Sequence, residues 1–584
     1  METGHTQAAI VSVDSPMPPP PWALLERELI RVQSLACQEF YRRYFDERGY
    51  LLCVERWGGD DGADDAIENL TGWPILHALG GPDIILEMCK QAQNGHIRQY
   101  TEAKTVEVPF ARDGMYYKEF PVMFDWLHNG ESLSVFHVLG LSDPGDLDFQ
   151  RRVRRFAGLY MNEDPQAPNY DPEHRLIRSM FNGSRGPLLR KATALDWTGD
   201  PIEEGRFILA HGERNYQEML AHFQDYNDVG GDHPLNLVAT GLALNAYMLT
   251  GEAQYRTWLL EYVDAWVERT RANGGVIPSN IGLDGTIGGA CDGKWYGGTY
   301  GWGFTVVVPQ TGDLAHRNIV YMGIAGFGNA LLLTGDQRYV EVWRRMLDSI
   351  NANQKVIDGA VMYPHMYGEQ GWYDYTPQPY AHGALEVYYW SMADDDLKRL
   401  PMTGWVAFLE GQSPNYPVEA LQQDFSTIRQ RMERVRNDPT TPDTRLSDNP
   451  NGFNPAVVGT LVELMLGGLP PRNAQPLHCR VRYFDPVRRR AGIPEDVAAL
   501  VDTLTADETG LTLVNVNPAD ARTVVIQGGA YAEHQVVSVE IDGQRVPVDG
   551  ASFTVRLAPG AGSRLVLRMK RYANQPTFEF PWER

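Results

Sequence analysis

Basic residues are scarce in this chain: 52 lysines and arginines stand against 75 aspartates and glutamates, a formal charge of −23 over 584 residues. A general nucleic-acid binder needs clustered cations to neutralise phosphates, so this balance argues against one. It still admits an acidic small substrate, which needs only a few local cations. Cysteine is also sparse. Cys37, Cys53, Cys89, Cys291 and Cys479 are scattered and odd in number, with no CxxC pair and no Cys/His zinc spacing. They read as free thiols of a reducing compartment. No basic segment followed by an apolar core opens the sequence, and no apolar run is long enough to cross a membrane. A cytoplasmic location and no membrane partner are expected. The glycine-rich "GGTYGWG" lacks a preceding strand and a GxGxxG or GKS/T signature, no GxSxG elbow occurs, and the DxDxDG calcium spacing is missing. No cofactor is expected and no metal ligands are assigned, although a site made by several histidines and Asp232 stays open.

What the chain does have is a repeated paragraph. "GDHPLNLVATGLALNAYMLTGEAQYRTWLLEYVDAW" starts at Gly231, and "HRNIVYMGIAGFGNALLLTGDQRYVEVWRRMLDSI" starts at His316. Aligning Gly251 with Gly335 pairs Tyr255 with Tyr339, Trp258 with Val342, Leu259 with Trp343, Tyr262 with Met346, Val263 with Leu347 and Trp266 with Ile350. The spacing is i, i+3, i+4, i+7, one buried stripe of a helix. The segments before the glycines are apolar all round and rich in Gly and Ala, as in a helix buried on every side. The unit is therefore a buried helix, a tight glycine turn and an amphipathic outer helix. Apolar segments near residues 65, 130, 233, 316, 382 and 454 give six such inner helices, and six stacked pairs suit a closed ring better than an open solenoid. After about residue 475 short β-rich runs such as "GLTLVNVN", "RTVVIQGG" and "RLVLRMKRY" alternate with turn residues, which predicts an antiparallel β-sandwich.

The expected fold is mainly α with a β domain: residues 1–21 a flexible lead-in, 22–474 an (α/α)6 toroid, 475–575 the β-sandwich and 576–584 a tail. A ring of six helical hairpins followed by a β-sandwich resembles the (α/α)6-toroid carbohydrate-active enzymes, which include toroid polysaccharide lyases and six-hairpin glycoside hydrolases. The resemblance covers most of residues 23–575 and rests on architecture. It implies an oligo- or polysaccharide substrate and a cleft where the inner helices begin; a homo-oligomer is compatible with it.

Two long aromatic connections enter that face. They carry Trp295, Tyr296, Tyr300 and Trp302 in one, and Tyr363, His365, Trp372 and Tyr373 in the other. Aromatic faces suit the apolar C–H faces of sugar rings, although each of these residues alone could simply pack its loop down. His128, His233, His316 and His382 stand at or near the starts of four inner helices. The positive helix end disfavours imidazolium there, leaving neutral rings able to accept a proton; as plain polar residues at a helix start they would do nothing more. Carboxylates gather on the same face: Asp60, Asp61, Asp64, Asp65 and Glu68, then Asp125 and Glu131, then Asp232, then Glu369. Helix capping accounts for some of them. The cations there are Lys294, Arg317 and Arg185, the last read as a surface or structural residue.

Two chemistries follow. A toroid lyase acting by β-elimination on a uronate-containing saccharide needs a base, an acid and neutralisation of the sugar carboxylate. His233 or His128 would be the base, Tyr296 or Tyr300 the acid, and Asn129 with Arg317 the neutralisers. An inverting hydrolase needs two carboxyl groups roughly 6.5–9.5 Å apart, here Glu131 or Asp232 with Asp61, Asp65 or Glu369. His316, Lys294, Trp295, Trp302, Asp61, Asp65, Glu68, Tyr363, His365, Trp372, Tyr373 and His382 would contact substrate. Epimerases also use helical toroids with paired histidines and form a third enzyme option, and a glycan-binding protein without catalysis is the reading from another class.

Overall fold

The apolar stripes become helical hairpins in a computed structural model that describes residues 9–57, 62–105, 108–199 and 215–584. In chain order the first helices are α1 (Pro21–Tyr44), α2 (Ala63–Glu68), α3 (Trp73–Ala78), α4 (Asp83–Glu102), α5 (Trp126–Ser132), α6 (Ser134–Leu139) and α7 (Leu147–Gly158). Two short helices follow, α8 (Ala194–Thr198) and α9 (Tyr216–His222). The repeated stretches give α10 (Thr240–Thr250) with α11 (Ala253–Ala272), and α12 (Ile324–Thr334) with α13 (Arg338–Asn351). The helical region closes with α14 (Ala384–Ser391), α15 (Asp394–Leu397), α16 (Gly404–Leu409), α17 (Tyr416–Asn437), α18 (Asp448–Asn451) and α19 (Gly459–Leu466). Among the described residues no helix is long and apolar enough to cross a membrane.

The two repeats match in detail. Gly251 and Gly335 end α10 and α12 in the left-handed conformation, φ 69° and 68°, where a side chain is strained and glycine is not. All six stripe residues of α11 and all six of α13 are buried, while α10 and α12 are buried almost throughout. Long helices α1 and α17 pack on each other, and the Gln33 amide donates to the Val457 carbonyl at 2.9 Å, so the two ends of the helical region meet. Along the inside, α18 touches α2, α2 touches α5, α5 touches the 3-10 turn Pro234–Ala239, and that turn touches Val320–Gly323. This succession places His128, the Asp232–His233 pair and the chain before α12 on neighbouring supports.

Beyond Leu466 the chain is β-rich. One five-stranded sheet runs in the order Ile10–Val13, Ser552–Leu557, Arg522–Gly528, Val481–Asp485, Arg490–Ala491; the other runs Val497–Leu504, Glu508–Asn515, Gly562–Lys570, Gln535–Ile541, Gln544–Gly550. The first corrects the expectation of a flexible lead-in: residues 10–13 pair in parallel with the strand 554–557, Ile10 opposite Thr554 and Val13 opposite Leu557. Alternate residues Val11 and Val13 are buried, and that burial is what orders the segment. The tail is irregular but also packed. Phe578 is buried, its backbone N donates to the Met248 carbonyl at 3.0 Å, and its ring meets Phe149 edge-on. The β region is tied to the helices by hydrogen bonds from Tyr483 Oη to the Met465 carbonyl at 2.7 Å and from Arg482 to the Leu141 carbonyl.

Candidate active site

The site starts from a helix cap. Asp125 precedes α5, and its buried Oδ1 accepts from the backbone N of Leu127 at 2.8 Å and of His128 at 3.0 Å. The same oxygen lies 2.7 Å from His128 Nδ1, so the cap also fixes the ring one turn into the helix. On its far side His128 Nε2 is 4.0 Å from Asp64 Oδ2 of α2. Ligand-capable atoms of Asp64, His128 and Glu131 all lie within 4.8 Å of one another, so these three could hold a metal ion. Glu68, one turn along α2 from Asp64, accepts from Asn451 Nδ2 at 3.0 Å.

This arrangement overturns the expectation that a helix start keeps His128 neutral. Burial does disfavour its imidazolium, but Asp125, followed by Asp64 and Glu131, outweighs both burial and the helix end and holds the ring protonated up to about 10. That direction argues against His128 as the base. In the same cluster burial first, then neighbouring carboxylates, push Asp64, Glu68 and Glu131 above the usual carboxylate range.

His128 opens onto a cleft of about 340 Å³ lined also by Phe124, Phe181, Trp197, Tyr300, His316 and Arg317. Trp197 sits on α8, whose start is a capping box between Thr193 and Asp196. Its ring stacks near Phe223 at 5.9 Å and meets Tyr300 edge-on at 5.9 Å. Burial raises the Tyr300 phenol well above its ordinary value, Asp125 and Tyr226 add to this, and Arg317 opposes it. His316 is not at a helix start as expected. It ends a strand, Leu314–His316, paired with Thr305–Val307. Thr305 Oγ1 lies 2.8 Å from His316 Nδ1 and 3.1 Å from Tyr373 Oη, which anchors the ring and leaves Nε2 as its unengaged nitrogen. Among the described residues the Arg317 guanidinium has no ion-pair or hydrogen-bond partner, while its backbone N is held by the Phe304 carbonyl at 3.1 Å.

The structure thus gathers His128, Tyr300, His316 and Arg317 at one cleft, with Glu131 in the adjoining cluster. Glu68 belongs to that cluster too, and Tyr373 packs edge-on against His316 at 5.5 Å; most other expected site residues lie elsewhere. Asp232 is buried, and Oδ1 accepts from His233 N at 2.9 Å, Asn236 Nδ2 at 2.9 Å and Tyr262 Oη at 3.0 Å, while Oδ2 accepts from Ile177 N at 3.1 Å. With Arg269 at 3.7 Å this carboxyl is a structural hub, not a catalytic group. His233 caps the turn that begins α10: Nδ1 accepts from Leu235 N at 3.1 Å, and burial pushes the ring down to about 3. It is neutral, as expected, but enclosed. Asn129 is fully buried and donates to the Phe124 carbonyl at 2.9 Å, so it cannot reach a sugar carboxylate. Trp302 is also fully buried, its Nε1 on the Ile277 carbonyl at 2.7 Å.

Tyr296 and Lys294 line a separate cleft of about 290 Å³ with Glu369, where Lys294 pairs with Glu369 at 2.5 Å. Trp295 packs on Tyr367 at 4.6 Å. The second aromatic loop is a three-stranded antiparallel sheet, Lys355–Ile357, Ala360–Gly368 and Gly371–Thr376. Within it Tyr363 lies opposite Thr376, Trp372 packs edge-on against Trp302, and His365 Nε2 lies 3.0 Å from the Gln378 carbonyl. His382 stacks on Tyr321 at 4.4 Å and does not line the main cleft. Asp65 stands beside Asp64 on α2, and Asp61 lies outside the described residues.

Sequence reasoning passed over Phe181, Trp197 and Phe223. The Thr193-x-x-Asp196 capping pattern, which that reasoning did not use, is a local signal of the helix that carries Trp197.

Among solved structures the chain is similar to the cellobiose 2-epimerase from Bacillus thermoamylovorans, at 9% identity over 62% of this chain and 98% of that one, TM-score 0.28. It is also similar to an α-1,6-mannanase of Salegentibacter sp., at 11% identity over 75% and 100%, TM-score 0.27. Both act on carbohydrates, the class of enzyme the sequence resembles, and at these scores neither fixes what this chain does. No curated protein matches the sequence. Residues 9–361 and 401–462, well over half of the chain, match the family described as Domain of unknown function (DUF8034), and the chain belongs to that family.

Proposed function

We propose that this chain is a carbohydrate-active enzyme that cleaves a uronate-containing oligo- or polysaccharide by β-elimination in the cleft between His128, Tyr300, His316 and Arg317. Its scaffold is read as an (α/α)6 toroid over residues 22–474 with a β-sandwich over 475–575. The observation that carries the reading is the unpartnered Arg317 guanidinium in an aromatic cleft of a protein with net charge −23. Among the described residues this guanidinium has no ion-pair or hydrogen-bond partner, and its place in the cleft beside a phenol and an imidazole suits an anion. A guanidinium receives a carboxylate in bidentate fashion.

The geometry supports the following roles. His316, anchored through Nδ1, offers Nε2 to take the proton at C5 of the uronate. The electron pair of that C–H bond forms the C4–C5 double bond as the bond from C4 to the glycosidic oxygen breaks. Tyr300, kept as a phenol by burial, supplies the proton to the leaving oxygen. Trp197 and Phe223 line the cleft and would bound the flanking rings with apolar surface. A second reading, glycoside hydrolysis, draws on Glu131, whose burial keeps it in the protonated state of a general acid. Asp64 is too close to Glu131 to be its inverting partner, since the atoms lie within 4.8 Å and a water needs roughly 6.5–9.5 Å.

Incubation with defined uronate and neutral oligosaccharides separates these readings. Ultraviolet absorbance of a C4–C5 unsaturated product supports elimination. New reducing ends without that absorbance overturn it in favour of hydrolysis. Binding without turnover leaves a glycan-binding protein and removes the enzyme reading.

A further inference from the structure

We propose that Asp64, His128 and Glu131 form a binding site for a divalent transition-metal ion, Zn²⁺ or Mn²⁺, at the inner wall of the cleft. Its evidence is independent of the saccharide reading. One imidazole and two carboxylates from helices α2 and α5 bring their ligand atoms within 4.8 Å of one another. A nitrogen-and-oxygen set of this kind suits a borderline transition metal better than Ca²⁺ or Mg²⁺, which prefer oxygen alone.

The orientation of His128 is the second element. Its Nδ1 lies 2.7 Å from Asp125 Oδ1, and Nε2 faces Asp64. Nδ1–H donates to the buried Asp125 carboxylate, so an ion arriving at Nε2 would displace the proton that the cationic ring carries there and leave the carboxylate–histidine–metal arrangement seen behind many metal sites. The third element is a deficit. Asp64 is 2% exposed, and although its carboxyl is helped by the backbone N–H groups of Asp64 and Asp65, its Oδ1 has no hydrogen-bond donor among the described residues; Asp125 Oδ2 is likewise buried without one there. Buried carboxylate oxygens are ordinarily satisfied, and a cation between Asp64, His128 and Glu131 would satisfy Asp64. Bonds of about 2.1 Å from one centre span at most about 4.2 Å, so Asp64 Oδ2 and His128 Nε2, at 4.0 Å, already stand within that span. His128 also lines the cleft, so an ion here keeps a coordination position facing bound ligand.

The test uses the full chain freed of metal with a chelator, then equilibrium dialysis against Zn²⁺ and, separately, Mn²⁺, with the bound metal counted. We expect one ion per chain. Asp64→Asn and Glu131→Gln weaken binding at least tenfold, Asp125→Asn weakens it about 10–100-fold by releasing the ring, and Lys294→Ala in the separate cleft leaves it unchanged. Circular dichroism checks each variant. Should a variant fail to fold, the wild-type protein loaded with Co²⁺ decides: an intense visible absorption band from an ion of low coordination supports the site. Absence of stoichiometric Zn²⁺ and Mn²⁺ binding, equal affinity in folded Asp64→Asn and Glu131→Gln variants, a Co²⁺ spectrum like that of the aqueous ion, or preference for Ca²⁺ or Mg²⁺ would each overturn the proposal.

Discussion

Replacing Arg317 by alanine tests the anion-binding reading directly. The backbone at this position is held by the Phe304 carbonyl, and among the described residues the side chain has no hydrogen-bond or ion-pair partner, so truncation removes no internal polar bond and the fold should survive. What it removes is the fork that would grip the sugar carboxylate. Hydrogen bonds to charged groups contribute about 1.5–3 kcal/mol each, and a bidentate pair makes two of them. The side chain is only partly buried, so solvent screening favours the lower end, about 3 kcal/mol for the pair. That corresponds to a loss of about a hundredfold in affinity and in kcat/KM. Arg317→Lys keeps the charge without the fork and should lose about tenfold.

The assay is titration calorimetry with a uronate oligosaccharide and with the same saccharide after its carboxyl is reduced to an alcohol. The wild type should prefer the uronate, and the preference should fall with added salt. Arg317→Ala should bind both forms alike. Equal weakening of both saccharides by the substitution, or full retention of the uronate preference, would refute the assignment of Arg317 and with it the main support for elimination.

Three further outcomes are expected. Thr305→Val removes the hydroxyl anchoring His316 Nδ1; kcat should drop about tenfold with a shifted pH profile and little change in KM, and Thr305→Ser should restore both. Glu26 is buried in α1, accepts from Ala499 N at 3.2 Å, and is pushed by burial from 4.5 up to about 8, against the pull of Arg27 and that backbone bond. Between those values the folded chain holds a proton the unfolded chain has lost, so this group's contribution to stability falls as pH rises through the window. Glu26→Gln should flatten the fall and, above pH ~8, add on the order of a few kcal/mol to the stability and so raise the melting temperature; unchanged pH dependence in scanning calorimetry would contradict it. Gly251→Ala and Gly335→Ala share the left-handed penalty of about 1 kcal/mol. A Cβ at Gly335 would also lie 2.7 Å from the Tyr572 carbonyl oxygen, whereas Gly251 has nothing within 4 Å, so the Gly335 variant should melt clearly lower.

The contrast between those two glycines also shows what a sequence can and cannot carry. Both were legible as turn glycines because the same residue ends the same apolar helix twice, and the left-handed φ follows from local chain geometry. Tyr572 above Gly335 comes from the far end of the chain and leaves no local trace. The site divides in the same way. The apolar stripes of α11 and α13 were readable because burial repeats with the helical period, and the long aromatic loops did contribute Tyr300 to the cleft. Periodicity, however, reports how deeply a side chain is buried and not which groups meet it. His128 and His233 look alike in sequence, each close to an acid near the start of an inner helix. In the structure Asp125 grips the His128 ring and makes it a cation, whereas Asp232 turns its carboxyl to Asn236 and Tyr262 and leaves His233 a neutral cap. The difference is set by which side-chain donors surround each carboxylate. Asn236 is close in sequence to Asp232 but Tyr262 arrives from α11, so no local motif encodes the outcome. His316 fails for another reason. The apolar run after it reads as helix from its first residue, but the hairpin Thr305–Val307 with Leu314–His316 claims the histidine before α12 begins. That shift of a few residues turns a supposed helix cap into an anchored imidazole beside an unpaired guanidinium, and the proposed chemistry depends on that pairing more than on any residue type in the cleft.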